Sequence, residues 1–407
     1  MPQVRCGIGT AEGFRSANGV LQVRCWIGNP PGSNLPYSPL HLAPLNRSTA
    51  RPFDLLAHPG GLIFQAHAVR CRAMNHLHSL RRGCPALPAS LLFLGIAAVA
   101  PVVVLQAAPQ TPTPKPVPLL QVIPLPNSEI SFQRDGVELT RYYFATNLNR
   151  PFLYPMRGPS GGSLTRMGHP HDPVSHSHHN SVWISHHDVN GLSSWEDRGV
   201  LRILHRRIEE LKDGDDSCSA TVLNQWVNPS GTTVIVERRR MTAHALPRDE
   251  WLLEVDLRLD AGLGEVTFGK TPFGLVGVRM AKTIGVNDGG GTIRNSDGRM
   301  NEQEVFWKPA RWVDYSGPIK SRTMAGITLM DHPANPNHPS VFHVRNDGWM
   351  GASLTFDAPR VLKPGAPLIL RYGLYVHGGM PSTNAIQRQW LNFAARPIDE
   401  LPDGRKR

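Results

Sequence analysis

Cysteine is almost absent from the C-terminal 300 residues of this 407-residue chain, and lysine is absent from its first 108 residues. Residues 1–108 hold nine arginines against two acidic residues, so they carry +7 of the net charge of +11. The remaining chain is nearly balanced in charge, which argues against a nucleic-acid-binding surface. Cys218 is the single cysteine beyond residue 100, which excludes an internal disulfide and a CxxC zinc site there. This part must fold by apolar burial alone.

Residues 74–107 have the three parts of a secretory signal peptide. Arg81 and Arg82 form a cationic start, an apolar stretch runs from Leu91 to Leu105, and small residues surround a cleavage point after Ala107. The alternative is a retained membrane anchor, because the apolar stretch is nearly long enough to span a bilayer. We therefore predict a secreted or periplasmic protein that meets a membrane only through an uncleaved signal.

The regions on either side of this segment differ in composition. Residues 1–73 lack sustained hydrophobic periodicity, so we predict a disordered extension or non-native upstream sequence, with Met74 as the true start. Residues 108–119 are a proline-rich, extended linker. We assign 120–396 to one folded domain and 397–407 to a disordered tail.

Strand patterns dominate the predicted domain. In residues 253–259 apolar and charged side chains alternate, which predicts a strand with one face in water. Similar segments occur at 131–144, 200–211, 218–227, 232–244, 265–269, 325–330, 341–345, 351–356 and 368–377. With a single helix candidate, 382–395, the pattern predicts an all-β fold, an antiparallel β-sandwich with a short C-terminal helix outside it. No GxGxxG, P-loop or GxSxG motif occurs in the required context, which argues against nucleotide-binding and serine-hydrolase folds.

Histidine is concentrated in one segment, since seven of the thirteen histidines after residue 108 lie within 169–187. On an extended backbone His176 and His178 share one face, and with His179 they are candidate ligands for a divalent metal such as Zn, Cu or Fe. The same side chains suit hydrogen bonding and acid/base chemistry around a polyhydroxylated substrate. A polar loop whose histidines only cap backbone groups is the third interpretation.

A second histidine group follows in residues 331–343, where three prolines predict a rigid loop. Such a loop can hold His332, His338 and His343 in fixed positions. Between the two groups lie aromatic residues and forked donors that suit sugar rings, among them Arg279, Asn295 and Trp312. We expect the two histidine-rich segments to converge on one pocket.

The histidine-rich stretch also carries a resemblance to a known family. Residues 176–191, HSHHNSVWISHHDVNG, resemble the signature DHPHHRSLWFGHGDVNG of the PmoA-like family of exported bacterial proteins, common in planctomycetes and labelled "methane oxygenase PmoA". Further similar segments follow in order at 273–279, 293–298, 311–317 and 331–345. Ser175, Ser177 and His187 depart from the signature, which removes the carboxylate expected before the first histidine.

The resemblance implies carbohydrate breakdown outside the cytoplasm and a mutarotase-like supersandwich. We predict an enzyme that acts on a carbohydrate or modified sugar by acid/base chemistry, with a small-molecule substrate and no nucleic-acid partner. Its predicted catalytic groups are Asp188, His343 and His186, and its predicted substrate contacts are Arg279, Asn190, Asn295, Trp312, His332 and His338. The alternatives are a non-catalytic carbohydrate-binding module and the copper- or iron-dependent oxygenase that the family label suggests.

Overall fold

The computed structural model describes residues 55–58, 61–64, 115–168, 176–320 and 323–402. The chain divides into two units, residues 1–107 and 108–407. In the first unit, β1 (Leu55–His58) and β2 (Gly61–Phe64) form an antiparallel hairpin. The predicted signal peptide lies outside the described residues. No described helix is both long and apolar enough to cross a membrane.

The second unit consists mainly of strands. In chain order they are β3 (Leu120–Leu125), β4 (Glu129–Arg134), β5 (Val137–Tyr143), β6 (Phe152–Leu153), β7 (Val182–His186), β8 (Arg202–Lys212), β9 (Ser217–Val227), β10 (Thr233–Ala245), β11 (Trp251–Ala261), β12 (Val266–Phe268), β13 (Thr271–Arg279), β14 (Thr292–Asn295), β15 (Lys308–Pro309), β16 (Trp312–Lys320), β17 (Thr323–Asp331), β18 (Val341–Arg345), β19 (Trp349–Thr355), β20 (Arg360–Leu362) and β21 (Leu368–Gly378). The helices are α1 (Val286–Gly289), α2 (Asn301–Val305) and α3 (Thr383–Ala394), and two 3₁₀ turns cover Pro247–Asp249 and Lys282–Ile284.

These strands form two large antiparallel sheets. One has nine strands in the order β15-β18-β19-β13-β7-β6-β5-β4-β3, and the other has eight in the order β14-β16-β17-β21-β11-β10-β9-β8. A small third sheet pairs β12 with β20. Val182 and Ile184 of the nine-stranded sheet and Val255 and Leu257 of the eight-stranded sheet belong to one buried apolar core. The predicted antiparallel β-sandwich is therefore confirmed.

The segment 131–144, predicted as one strand, is a hairpin of β4 and β5. Asp135 and Gly136 make the turn with φ angles of 50° and 73°, as a tight antiparallel hairpin requires. Side chains alternate between the two faces of the sheet on both strands. The sequence pattern on either side of the turn is therefore the same, and it resembles that of one long strand.

The expectation of one wet face for residues 253–259 is wrong. They lie in β11, between β10 and β21, and every residue of this strand is buried. The carboxylate of Asp256 accepts hydrogen bonds from Arg240 and Arg371. Arg371 also donates to the carbonyls of residues 396 and 397, so the chain after α3 crosses this face. Charged groups are buried here because they are paired.

The C-terminal helix α3 covers the outer face of the eight-stranded sheet. Its N-terminus is capped by the Ser382 side chain, which accepts a hydrogen bond from the Ala385 amide. Ile386, Trp390 and Phe393 pack against four side chains of the sheet, namely Leu252, Trp312, Met330 and Tyr375. The predicted external position of the helix is confirmed, and the outer face of the nine-stranded sheet is left to other segments.

Candidate functional site on the aromatic face

Two glycines make room for large rings on the outer face of the nine-stranded sheet. Register places His343, Gly351, Gly277 and Trp183 in one row across four neighbouring strands. A Cβ at Gly277 would lie 2.7 Å from the Trp349 ring and 2.8 Å from the Trp183 ring. The indole rings therefore lie directly over the glycine backbone, which no larger residue allows.

The rings of Trp183, Trp195 and Trp349 form a compact cluster there. Their centroids are 5.2 to 5.6 Å apart, and each side chain is at most 4% exposed. Phe273 extends the cluster, 6.0 Å from Trp195. We call the cluster of Trp183, Trp195, Phe273 and Trp349, together with the histidines that contact it, the aromatic face.

The predicted metal ligands lie on the aromatic face. His179 stacks on Trp349 at 5.2 Å with 10° between the ring planes, and His178 lies 4.4 Å from His179. His176 is 4.9 Å from His179, so the three imidazoles do form a group. The buried Arg150 holds this turn in place by donating to the carbonyl of His178.

Burial keeps two of these imidazoles neutral. Burial and the nearby Arg150 lower the pKa of His178 to about 4, and burial and His178 strongly lower the pKa of His179. Neutral imidazole is the form that binds metals. Within the described residues, however, no group of three His, Cys, Asp or Glu side chains has an arrangement that could hold a metal ion. The metal therefore stays a prediction.

His343, from the second histidine group, also reaches the aromatic face. Its ring lies 6.1 Å from Trp349 and 5.2 Å from Phe273, so His179 and His343 contact the same tryptophan from different sides. Burial and Arg345 lower the pKa of His343 to about 4, and its Nδ1 atom has no hydrogen-bond partner among the described residues. His179 and His343 thus lie on the same tryptophan, but neither lines the cavity next to Trp307, so convergence on one pocket stays a prediction.

An open cavity of about 390 Å³ adjoins His343. Its walls include Trp307 and Phe356, whose rings are 5.6 Å apart, and the Trp307 ring lies 6.3 Å from His343. The other lining residues are Lys270, Thr271, Pro272 and Asp357. Trp307 is 47% exposed, which is unusual for a tryptophan and makes its ring available to a ligand. The volume is within the range of small-molecule sites.

Asp188 packs on Gly269, the residue that precedes the cavity residue Lys270. A Cβ at Gly269 would lie 1.9 Å from the Asp188 Oδ2 atom, so the carboxylate packs directly on the glycine. Its Oδ1 atom accepts a hydrogen bond from the Gly191 amide. Asn190 accepts a hydrogen bond from the Thr267 amide and so ties this turn to β12.

His186, the third predicted catalytic group, faces the core instead. Its Nε2 atom is 2.9 Å from the Thr355 hydroxyl, and its Nδ1 atom accepts from the Asp188 amide. The Thr355 hydroxyl donates its single proton to the Gly269 carbonyl, so it can only accept a hydrogen bond from His186. The neutral His186 ring therefore carries its proton on Nε2. Both nitrogens are occupied, so His186 positions the Asp188 turn in this conformation.

The predicted substrate contact Arg279 lies at the edge of the aromatic face. It ends β13 opposite Trp349, and its guanidinium donates to Asp347 at 2.9 Å. Arg279 is fully buried, and within the described part of the chain its Nε and Nη2 atoms have no hydrogen-bond partner. Burial lowers its pKa.

The other predicted contacts are not brought to this site. His332 packs on Phe393, and His338 stacks on Trp390, so both lie beneath α3 on the opposite side of the sandwich. Trp312 lies there too and donates to Gln387 of α3. Asn295 is buried and caps the following turn by accepting from the Asp297 and Arg299 amides.

Several residues of the site were not predicted from the sequence. Trp183, Trp195 and Trp349 carry the aromatic face, and Lys270, Phe356 and Asp357 line the cavity. One available signal was a tryptophan inside the histidine-rich stretch. The other was glycine within the strand segments, at Gly277 and Gly351, which marks a close approach of bulky groups.

A family model matches residues 129–391, from β4 into α3, and its description is "Family of unknown function (DUF6807)". The chain belongs to this family. The match includes every residue of the aromatic face and the cavity, so the site of this DUF6807 chain lies within the family's domain. No curated protein matches the chain. The resemblance to PmoA-like proteins stays a prediction.

The solved structures that are similar to this DUF6807 chain include the following two. One is a GalM/aldose epimerase homologue from C. elegans, with 10% identity over 65% of this chain and 99% of that chain and a TM-score of 0.30. The other is a putative kojibiose phosphorylase from the human microbiome, with 9% identity over 68% of this chain and 36% of that chain and a TM-score of 0.27. At these TM-scores neither similarity indicates a ligand or a reaction for this chain.

Proposed function

We propose that this protein binds a carbohydrate in the cavity beside His343 and acts on it by acid/base chemistry. The observation that carries the proposal is the half-exposed Trp307 ring in the cavity wall. The CH faces of a sugar ring stack on such a surface, while its hydroxyl groups bond to polar side chains. Lys270 and Asp357 supply polar groups at the same cavity.

Asp188 and His343 are the proposed proton-transfer groups. Asp188 packs on Gly269, which precedes the cavity residue Lys270, and the His343 ring lies 6.3 Å from the ring of the cavity residue Trp307. The neutral His343 can accept a proton, and the carboxylate of Asp188 can fix a hydroxyl group. Hydrolysis, elimination and epimerisation all need such a pair, so the geometry supports the class of reaction and leaves its type open.

A non-catalytic carbohydrate-binding module is the second candidate, and a specific observation favours it. His343 is 7% exposed and surrounded by rings, and Asp188 already accepts a hydrogen bond from Gly191. A ligand on Trp307 therefore reaches the His343 ring only after a side chain moves.

The test combines binding with product analysis. Purified protein is screened on a panel of plant and bacterial glycans, and each bound glycan is incubated with it and followed by anomeric-proton NMR. We expect turnover that Asp188→Asn and His343→Gln each reduce by about 100-fold or more, the usual contribution of an acid/base group. Gly269→Ala should reduce it too, because the new methyl group displaces the Asp188 carboxylate.

The outcomes separate the two candidates. Binding that Trp307→Ala abolishes, without any product, supports the binding module and contradicts the enzyme. Absence of binding to every glycan contradicts both. Val137→Ala is the matched control, because Val137 is exposed and lies in β5, away from the cavity.

Export and the metal complete the proposal. We propose that residues 74–107 direct export to the periplasm or outside the cell, which N-terminal sequencing of the native protein tests. A peptide from residues 1–73 in the mature protein would contradict it.

Elemental analysis of protein purified without chelators or tags tests the metal at His176, His178 and His179, on which the oxygenase alternative also depends.

A further inference from the structure

The outer face of the nine-stranded sheet buries polar atoms that have no hydrogen-bond partner among the residues the structure describes. They are His179 Nδ1, Trp183 Nε1, Ser185 Oγ, Arg279 Nε, Arg279 Nη2 and His343 Nδ1. Buried polar groups in native proteins are almost always hydrogen-bonded, so each of these atoms needs an explanation. Three of the six atoms, on Trp183 and Arg279, can only donate, and the hydroxyl and imidazole atoms can donate as well.

Several charged groups meet at one end of this face, where the carboxylates of Asp347 and Asp288 both act on the guanidinium groups of Arg166 and Arg279. Arg279 donates to Asp347 through Nη1, which leaves its Nε–Nη2 edge unpartnered. Arg166 lies close by and donates to three backbone carbonyls, those of Gly168, Met280 and Asp347. Two guanidinium groups thus share the neighbourhood of the Asp347 carboxylate, and the unpartnered edge is the one that holds a carboxylate with two parallel hydrogen bonds.

His179 lies beside this edge. It stacks on Trp349, and Trp349 pairs with Arg279 across β13 and β19. The positive charge of Arg279 contributes to the lowered pKa of His179, which is consistent with their proximity. A ligand group at this place would meet two donors from Arg279 and one ring nitrogen from His179.

We infer that the Nε–Nη2 edge of Arg279, with His179 Nδ1, is a carboxylate subsite, and that the carbohydrate this protein takes is a uronic acid or an oligomer that contains one. The inference rests on the proposed carbohydrate function and narrows it to acidic sugars. Because Arg279 is fully buried, the ligand reaches it only when covering side chains move, so association is slow.

Oligogalacturonates and oligoglucuronates, each compared with its own methyl ester, test the inference by isothermal titration calorimetry. The ester keeps the sugar skeleton and removes the charge. We expect the acid to bind at least tenfold more tightly than the ester in 50 mM salt. Arg279→Lys keeps the positive charge but loses the pair of parallel N–H donors, and His179→Phe keeps a stacked ring but loses the ring nitrogen. Each variant should reduce the preference for the acid to less than threefold.

Lys212→Gln is the matched control, since Lys212 is an exposed cation of β8 in the eight-stranded sheet, and it should leave the preference unchanged. Lys270→Gln tests the competing cation of the cavity. Near-UV circular dichroism of each variant establishes that the fold is intact. Equal binding of acid and ester overturns the inference and leaves the proposed function standing. A preference for the acid that only Lys270→Gln removes also overturns it. Failure of acids, esters and neutral glycans alike contradicts the proposed function itself.

Discussion

Replacing Gly277 by alanine tests whether close packing of the two indole rings on the sheet holds the aromatic face together. The new Cβ would lie 2.7 Å from the Trp349 ring and 2.8 and 2.9 Å from two atoms of the Trp183 ring. Ordinary contact begins near 3.4 Å, so the rings must give way by about 0.5 to 0.7 Å. Neither ring has free space, because His179 stacks on both.

The expected cost follows from overpacking, which typically destabilises a core by about 1–3 kcal/mol. Alanine regains up to about 1 kcal/mol, because it restricts the unfolded chain more than glycine does. We therefore expect Gly277→Ala to lower the free energy of unfolding by roughly 1–2 kcal/mol. Tm should fall by roughly 2–3 °C, because a folded unit of this size has a large entropy of unfolding.

Urea denaturation and near-UV circular dichroism measure the effect, since the displaced rings are tryptophans. Gly378→Ala is the matched control: it also lies in a strand, and its Cβ would be 3.7 Å from the nearest atom. It should be neutral or slightly stabilising. Equal stability of the Gly277→Ala variant and the wild type, with an unchanged near-UV spectrum, would refute the packing argument.

Two further predictions concern pH. Burial lowers the pKa values of His186 and His343 to about 4, so between about pH 6.5 and 4 the unfolded chain takes up protons that the folded chain does not. The free energy of unfolding should therefore fall as the pH drops through this range. In urea titrations His343→Gln should reduce this dependence on pH. His377 and Arg294 outweigh the effect of burial and lower the pKa of Asp314 to about 2. The Asp314 carboxylate therefore stabilises the fold above about pH 4, and this stabilisation is lost toward pH 2. Asp314→Asn should lower the free energy of unfolding by about 3–5 kcal/mol at pH 7 and by much less at pH 2.5. A pH-independent loss in this variant would contradict the ion-pair assignment.

The sequence predicted most strands correctly where apolar and polar side chains alternate and turn residues bound them. It missed β7 and β13, which carry much of the site, for a physical reason. β7 is buried along its whole length, with the core on one face and the tryptophans on the other, so it shows no polar alternation. In β13 the glycines that admit the rings interrupt the apolar pattern.

The site was predictable only in part. The concentration of histidine pointed to the correct segment, and His178, His179 and His343 do lie on one face. The boundary between the loop and β18 sets which face of the sandwich each histidine side chain meets. The sequence alone does not show this boundary, so the position of His332 and His338 on the opposite side could not be predicted. Pairing across strands far apart in the chain, such as that of Gly277 with Trp183 and Gly351, cannot be read from local patterns.

Carbohydrate binding at Trp307 is the central claim, and calorimetric titration of one bound glycan into the wild type and Trp307→Ala tests it most directly. Trp307 is half-exposed, so its loss should leave Tm within about 2 °C of the wild-type value. We predict saturable binding by the wild type and at least tenfold weaker binding by the variant. Equal affinity of the two proteins, or no heat of binding with any glycan tested, would contradict the account.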